Sequence, residues 1–292
     1  GGGLEVTYSV NSGPEEHGDR VLIGNTRASP KIPVYVRPDD LLRHCLIVGT
    51  TGSGKTSTAM RLSSRLKLYG AVAVLDWYGE YSEAGDHVVT AGTGSPVAIP
   101  IEDPLDAVAI LEEVLDLTPP QSYLLAKVLR KPRDLEYVVD LVESYEPEAR
   151  WEVETRASLA RKLSLLLRYG KVFRVVEPDE VSGANLFLRG MLTVFDLSGL
   201  KTVELKRLVA LGILNAVRYL KERGVVADKV FVVVEEAHNL MAGSKLLQRY
   251  LAEVRKLGIG LIVVTQSPAG LGYEVMNNTN VKIVKALKSA ED

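Results

Sequence analysis

Residues 46–57 read LIVGTTGSGKTS. Cys45 to Val48 are an apolar lead, Gly49, Gly54, Lys55 and Thr56 occupy the fixed positions of G-x-x-x-x-G-K-[ST], and residues 57–68 carry a helical pattern. A strand, a glycine-rich turn and a helix in that order are the context a phosphate-binding loop requires. Glycines let the backbone from Gly49 through Thr50, Thr51, Gly52, Ser53 and Gly54 turn its N–H groups inward around a β-phosphate. The helix N-terminus that follows, from Lys55 to Ser57, adds its partial positive charge. Lys55 is expected to reach the β- and γ-phosphates, and Thr56 to place its hydroxyl on Mg²⁺. The expected cofactors are ATP and Mg²⁺. A strand-to-helix turn without a ligand is the competing reading, and the flanking pattern disfavours it.

Working outward, residues 71–76 (AVAVLD) form a near-continuous apolar run ending in an acid. Such runs suit a parallel sheet covered on both faces. Ligand sites in open α/β sheets lie at the strands' C-terminal edge, which makes Asp76 a candidate active-site acid. A loop or capping acid is the plainer alternative. Phe231 to Val234 are again apolar and deliver Glu235 and Glu236 to a strand tip, the Walker B arrangement. The first acid can hold Mg²⁺ directly or through water, and the second can polarise the attacking water. Gln266 follows the run GLIVVT, where it can sense the γ-phosphate or simply close the strand with a hydrogen bond. Arg255 and Lys256 end a helix, where the helix dipole favours cations. Alternatively, Arg255 is supplied to a neighbouring subunit's nucleotide, with Arg43 as a second candidate. His17, His44, His87 and His238 show no ligand spacing, so no zinc site is expected.

The 292 residues suggest one large or two modest domains, and 46% hydrophobic content allows a substantial core. A formal net charge of −2 gives no global basic signature for nucleic acid, although a local basic channel is compatible with it. The single cysteine, Cys45, excludes an internal disulfide and points to the cytoplasm. No apolar run approaches the roughly 20 residues of a membrane span, so no membrane segment is expected. Gly1-Gly2-Gly3 has no signal-peptide pattern and reads as a scar or truncation point. Residues 1–40 are strand-like and too few for an independent core, a small β-module or an arm. Residues 104–170 carry three or four helical patterns, separated by Pro119-Pro120 and Pro132, and read as a helical insertion. Its last helix bears Arg156, Arg161, Lys162 and Arg168, better read as a solvated face than as a DNA-facing patch.

Five stretches together carry a family resemblance: RHCLIVGTTGSGKT, LDWYGEY, VFDLSGL, VVVEEAHNL and VRKLGIGLIVVTQSP, spanning residues 43–268. The chain resembles the HerA/FtsK branch of P-loop motor ATPases, most of all the archaeal HerA helicases. The resemblance implies an α/β, RecA-like P-loop core with a mostly parallel sheet in residues 41–103 and 171–292. The helical insertion and the short N-terminal β segment complete it. It also implies a homohexameric ring that hydrolyses ATP to translocate double-stranded DNA, partnered by a NurA-type nuclease in DNA end processing. Carried over, Lys55 and Thr56 bind nucleotide and Mg²⁺, Glu236 is the catalytic glutamate, Gln266 the sensor and Asp76 an active-site acid. The match of Arg255 rests on its local RK-x-G context alone. Three departures stand out: the family's N-terminal barrel is larger than residues 4–40 could make, its members usually continue beyond the last core strand, which is expected to make this chain a fragment or a reduced relative, and Glu235 occupies a place where many such motors have Asp. A related motor for conjugation or packaging, or a nucleotide-binding switch with little turnover, are the alternatives.

Overall fold

The computed structural model describes residues 4–8, 19–26, 29–49, 54–92, 94, 96–177, 187–241, 243–271, 277 and 279–285. In chain order they form β1 (Leu4–Tyr8), β2 (Val21–Asn25), β3 (Pro33–Val36), α1 (Pro38–Leu41), β4 (Cys45–Val48), α2 (Lys55–Leu66), β5 (Ala71–Asp76), β6 (His87–Thr90) and β7 (Val97–Pro100). Next come α3 (Pro104–Leu115), α4 (Pro119–Val128), α5 (Leu135–Ser144), α6 (Arg150–Leu165), β8 (Phe173–Val176), β9 (Leu192–Asp196) and α7 (Val203–Glu222). The last elements are β10 (Val230–Val234), α8 (Ala237–Met241), α9 (Lys245–Val254), β11 (Ile259–Thr265) and β12 (Val281–Lys285). They divide into two compact units, one from residues 1–89, 185–196 and 221–292, the other from residues 90–184 and 197–220.

The first unit is built on a sheet with strand order β1-β12-β4-β11-β10-β5-β9-β6. The pairings of β4 with β11 and β12, of β10 with β11 and β5, and of β5 with β9 are parallel. Every residue of β5, β10 and β11 is buried. Strands covered on both faces gain nothing from polar alternation, which is why these sequences are almost wholly apolar, with Asp76 and Thr265 at the strand ends. Each buried Val or Ile contributes about 1.5–3 kcal/mol, so this block anchors the unit. β1 closes the sheet antiparallel to β12. The β2–β3 hairpin lays Val21, Ile23 and Val36 into the same core as Ala59, Leu62 and Leu66 of α2. The N-terminal strands are thus part of this unit.

The second unit holds α3 to α6, residues 203–220 of α7, and the parallel pair β7–β8, in which Val97 lies opposite Phe173. Pro104 and Pro119 mark helix starts rather than breaks. Pro104 follows an Asp103 carboxylate that accepts from the Leu105 N–H, and Pro119 follows Thr118, which forms a capping box with Gln121. An open groove is lined by Glu143, Arg156, Arg161 and Arg168, with Arg156 Nη1 donating to the Tyr145 carbonyl at 2.7 Å. Among the described residues, no helix is long and apolar enough to cross a membrane.

Candidate nucleotide site

Parallel strands β4, β11, β10 and β5 end at one edge of the first unit's sheet. The residues that close or follow them there are Gly49, Gln266, Glu235 and Asp76. The Gly49 N–H donates to the Thr265 carbonyl at 3.3 Å, tying the exit of β4 to β11. Thr50, Thr51, Gly52 and Ser53 lie outside the described residues. Past them, Gly54 is the left-handed N-cap of α2, with φ +88°. No side chain caps the helix there, so its first N–H groups are presented to whatever occupies the loop. Lys55 is buried at the first helical position, Thr56 is half-buried beside it, and Ser57 is exposed.

Two strands away, β10 brings its paired acids to the same place. Lys55 Nζ lies 3.9 Å from Glu236 Oε1. Both glutamates are buried. Glu236 has φ +51°, a left-handed backbone that is strained for any residue but glycine. Its Oε2 sits 3.2 Å from His238 Nδ1, and neither atom makes a hydrogen bond. Glu235 is different: Tyr81 donates its phenol proton to Glu235 Oε2 at 2.5 Å. Burial pushes Glu235 up to about 7, against the downward pull of the Tyr81 hydrogen bond and of Lys55. Burial and the neighbouring Glu235 hold the Tyr81 phenol well above its ordinary range, so it stays a donor.

Asp76 explains how Tyr81 reaches the site. Its Oδ1 accepts from the Gly79 and Glu80 N–H groups at 2.9 and 3.0 Å, and its Oδ2 from Tyr81 N–H at 2.9 Å. Burial raises its pKa, the three amides oppose that rise, and Asp196 on the adjacent strand adds to it. The carboxylate folds residues 77–81 into a tight turn whose far end is Tyr81. Gln266 is exposed just past β11. Arg255 is exposed before the start of β11, at the opposite end of a seven-residue strand. At about 3.3 Å per residue that strand is about 23 Å long, so the structure does not bring Arg255 to its own chain's loop. Sequence reading missed Tyr81 and His238 as partners of the acids. Their signal was slight: a second tyrosine in DWYGEY, and a histidine two residues after Glu236.

The donor set suits a hydrated Mg²⁺. Among the described residues no three His, Cys, Asp or Glu side chains form a cage. Mg²⁺ keeps most of its waters and needs only one or two protein groups besides phosphate. Thr56 and the carboxylates of Glu235 and Glu236, one with a buried oxygen lacking a hydrogen bond, supply such groups.

The sequence matches the family described as "Helicase HerA, central domain" over residues 21–217. It is 25% identical, over 89% of its length, to a protein of Sulfurisphaera tokodaii named DNA double-strand break repair helicase HerA. With the protein of the same name from Sulfolobus acidocaldarius it shares 26% identity over 93% of its length. The chain spans 58% and 60% of those two relatives. In fold it is similar to VirB4 of Thermoanaerobacter pseudethanolicus, with a TM-score of 0.68 at 18% identity, covering 96% of this chain and 88% of that one. It is also similar to the bacterial conjugative coupling protein TrwB, with a TM-score of 0.63 at 15% identity, covering 91% and 70%. TrwB has also been solved with ADP and Mg²⁺, in a form that matches with a TM-score of 0.55 at 15% identity over 82% of this chain and 67% of that one. The architecture is that of the RecA-like P-loop ATPases.

Proposed function

Because the chain belongs to the family of the HerA helicase central domain, we propose that it is the ATP-hydrolysing core of a DNA translocase or helicase. The observation that carries this reading is the meeting of Lys55 with Glu236 at 3.9 Å, beside a Glu236 oxygen that is buried and makes no hydrogen bond. A protein that only binds nucleotide has no need to bury a strained glutamate there. Lys55 and the N–H groups of α2 bind the phosphates. Glu236 accepts the proton of the attacking water, and the Glu236–His238 contact offers that proton a way out. Glu235, held by Tyr81, faces the cation side. Bound Mg²⁺ would neutralise phosphate charge and orient the γ-phosphoryl group. Gln266 senses the γ-phosphate from the tip of β11.

The larger assembly in this reading is a homohexamer that moves double-stranded DNA through its pore, in DNA end processing with a NurA-type nuclease. The repair role in the relatives' names supports that direction. The fold shared with VirB4 and TrwB supports a second reading, a motor that pumps DNA or protein in conjugation. One experiment tests the core of both: ATP hydrolysis with and without duplex DNA, beside a mass measurement of the assembly. Stimulation by duplex DNA is expected, and Lys55→Ala should abolish turnover and weaken nucleotide binding by removing a cation from the phosphates. Normal turnover in Lys55→Ala would overturn the site. Turnover indifferent to DNA would overturn the DNA motor.

A further inference from the structure

We propose that Lys285, on the last strand of the sheet, is a second cation of the nucleotide site and holds the phosphates nearest the ribose. This rests on reading residues 49–57 as a nucleotide loop. Strand β12 runs parallel to β4 on the side away from β10, and Val284 lies opposite Val48. Lys285 therefore leaves the sheet beside Gly49, where the loop begins. Its side chain also meets the other end of the loop. A Cβ added at Gly54 would lie 3.2 Å from Lys285 Cε. Glycine at 54 thus serves two ends: it adopts φ +88°, and it leaves room for the lysine stem.

The sheet order says which part of the nucleotide this lysine meets. Glu236 follows the end of β10, which lies two strands from β4 on one side, and β12 is the neighbour on the other. A nucleotide whose γ-phosphate faces Glu236 Oε2, which is buried and makes no hydrogen bond, runs its ribose end toward β12 when its phosphates follow the sheet edge. Lys55 and Lys285 then grip the phosphate chain from its two ends. The local charge agrees. Burial lowers the pKa of Lys285, and the cations of Arg61 and Lys31 lower it further. Like charges that act on Lys285 disfavour its charged form, and a bound polyanion would offset that.

The test compares Lys285→Met, which keeps the apolar stem and removes the charge, with Lys285→Arg and the wild type. ATP and ADP affinities are measured by calorimetry with Mg²⁺, and steady-state hydrolysis is followed alongside. Lys285→Met is expected to weaken ATP and ADP by the same factor, about tenfold, the range of a charge-assisted contact. KM should rise by a similar factor, with kcat within about twofold. Lys285→Arg should keep most of the affinity. Without nucleotide, Lys285→Met should melt close to wild type, since the change keeps the apolar stem. Unchanged affinity overturns the proposal. So does a loss confined to ATP, which would place the lysine on the γ-phosphate, or a lower melting temperature, which would assign it to the fold. If the wild type binds neither nucleotide, the underlying reading of the loop fails. If Lys55→Ala loses binding and Lys285→Met does not, only this inference fails.

Discussion

Glu236 combines two costs that proteins usually avoid, a left-handed backbone and a buried carboxylate oxygen without a hydrogen bond. Each costs on the order of 1–3 kcal/mol; only glycine would relieve the first, and a side chain without the buried oxygen the second. Glu236→Gln keeps the shape and removes the charge. It is expected to bind ATP with near-normal affinity and to lose about 10²–10⁴-fold in turnover, as loss of a general base does. If Glu235→Gln stops turnover instead while Glu236→Gln is nearly normal, the two roles are reversed. His44 makes a separate case. It is fully buried, with Nε2 donating to the Leu251 carbonyl at 3.0 Å and Nδ1 accepting from Leu261 N–H at 2.9 Å. Burial lowers it to about 4, and Arg255 pushes in the same direction against the Leu251 hydrogen bond. A histidine depressed on folding contributes stability that is fully present above its unfolded value of about 6.5 and is lost as the pH falls toward 4. The full difference is about 3 kcal/mol. Glu235, raised on folding to about 7, acts with the opposite sign across much of that window. The informative quantity is therefore the difference between wild type and His44→Gln in urea unfolding at pH 7 and pH 5. The variant should be less stable at pH 7 and should lose less on acidification. Parallel curves would show that His44 does not titrate with folding.

Strand β5 and the turn after it act as one piece. The Asp76 carboxylate collects the Gly79, Glu80 and Tyr81 amides, and Tyr81 then holds Glu235. Tyr81→Phe should leave the turn in place and free one Glu235 oxygen. Because the Tyr81 hydrogen bond lowers the Glu235 pKa, its loss should move the acid limb of the pH–rate profile to higher pH and raise the Mg²⁺ needed for half-maximal rate. ADP affinity without Mg²⁺ should stay within about twofold, since Tyr81 touches no phosphate group in this reading. An unmoved profile would make Tyr81 a packing residue only. Much of this piece was legible in AVAVLD, whose unbroken apolar run ends in an acid at the correct edge. The role of Asp76 was not, because a strand-end acid reads the same whether it faces a ligand or its own backbone. β7 and β8 escaped sequence reading for another reason. Four residues each, VAIP and FRVV, are too short to show a period, and each is a strand only because the other pairs with it.

A ring would have to bring Arg255 to a site it cannot reach in its own chain. Arg255 precedes β11 and the nucleotide loop lies past the strand's other end, so its own chain's loop is out of its reach. Hydrolysis per subunit is expected to rise with protein concentration as copies assemble. Arg255→Ala should lower the plateau by about 10³-fold or more, the range of arginines supplied across interfaces, with little change in ATP affinity. Mixed with Glu236→Gln subunits, it should recover some activity, because a mixed interface pairs an intact Glu236 with an intact Arg255. A ring of Arg255→Ala subunits that turns over at the wild-type rate would leave the residue a helix-end cation.

What the amino-acid order determined by itself is local: the strand and the helix that flank the glycine-rich stretch, the buried runs of β5, β10 and β11, and the helices between residues 104 and 165. Glycine spacing and apolar periodicity are properties of neighbouring residues, so they survive in one dimension. Tertiary structure alone decided who meets whom at the strand tips. Tyr81 and Glu235 are 154 residues apart in the chain and are joined by a hydrogen bond because β5 and β10 are adjacent. Lys285 lies against Gly54 because β12 pairs with β4 in one register, and a shift of one residue would carry its side chain to the other face. Strand order and register come from packing many residues at once, and no short window of sequence contains that information.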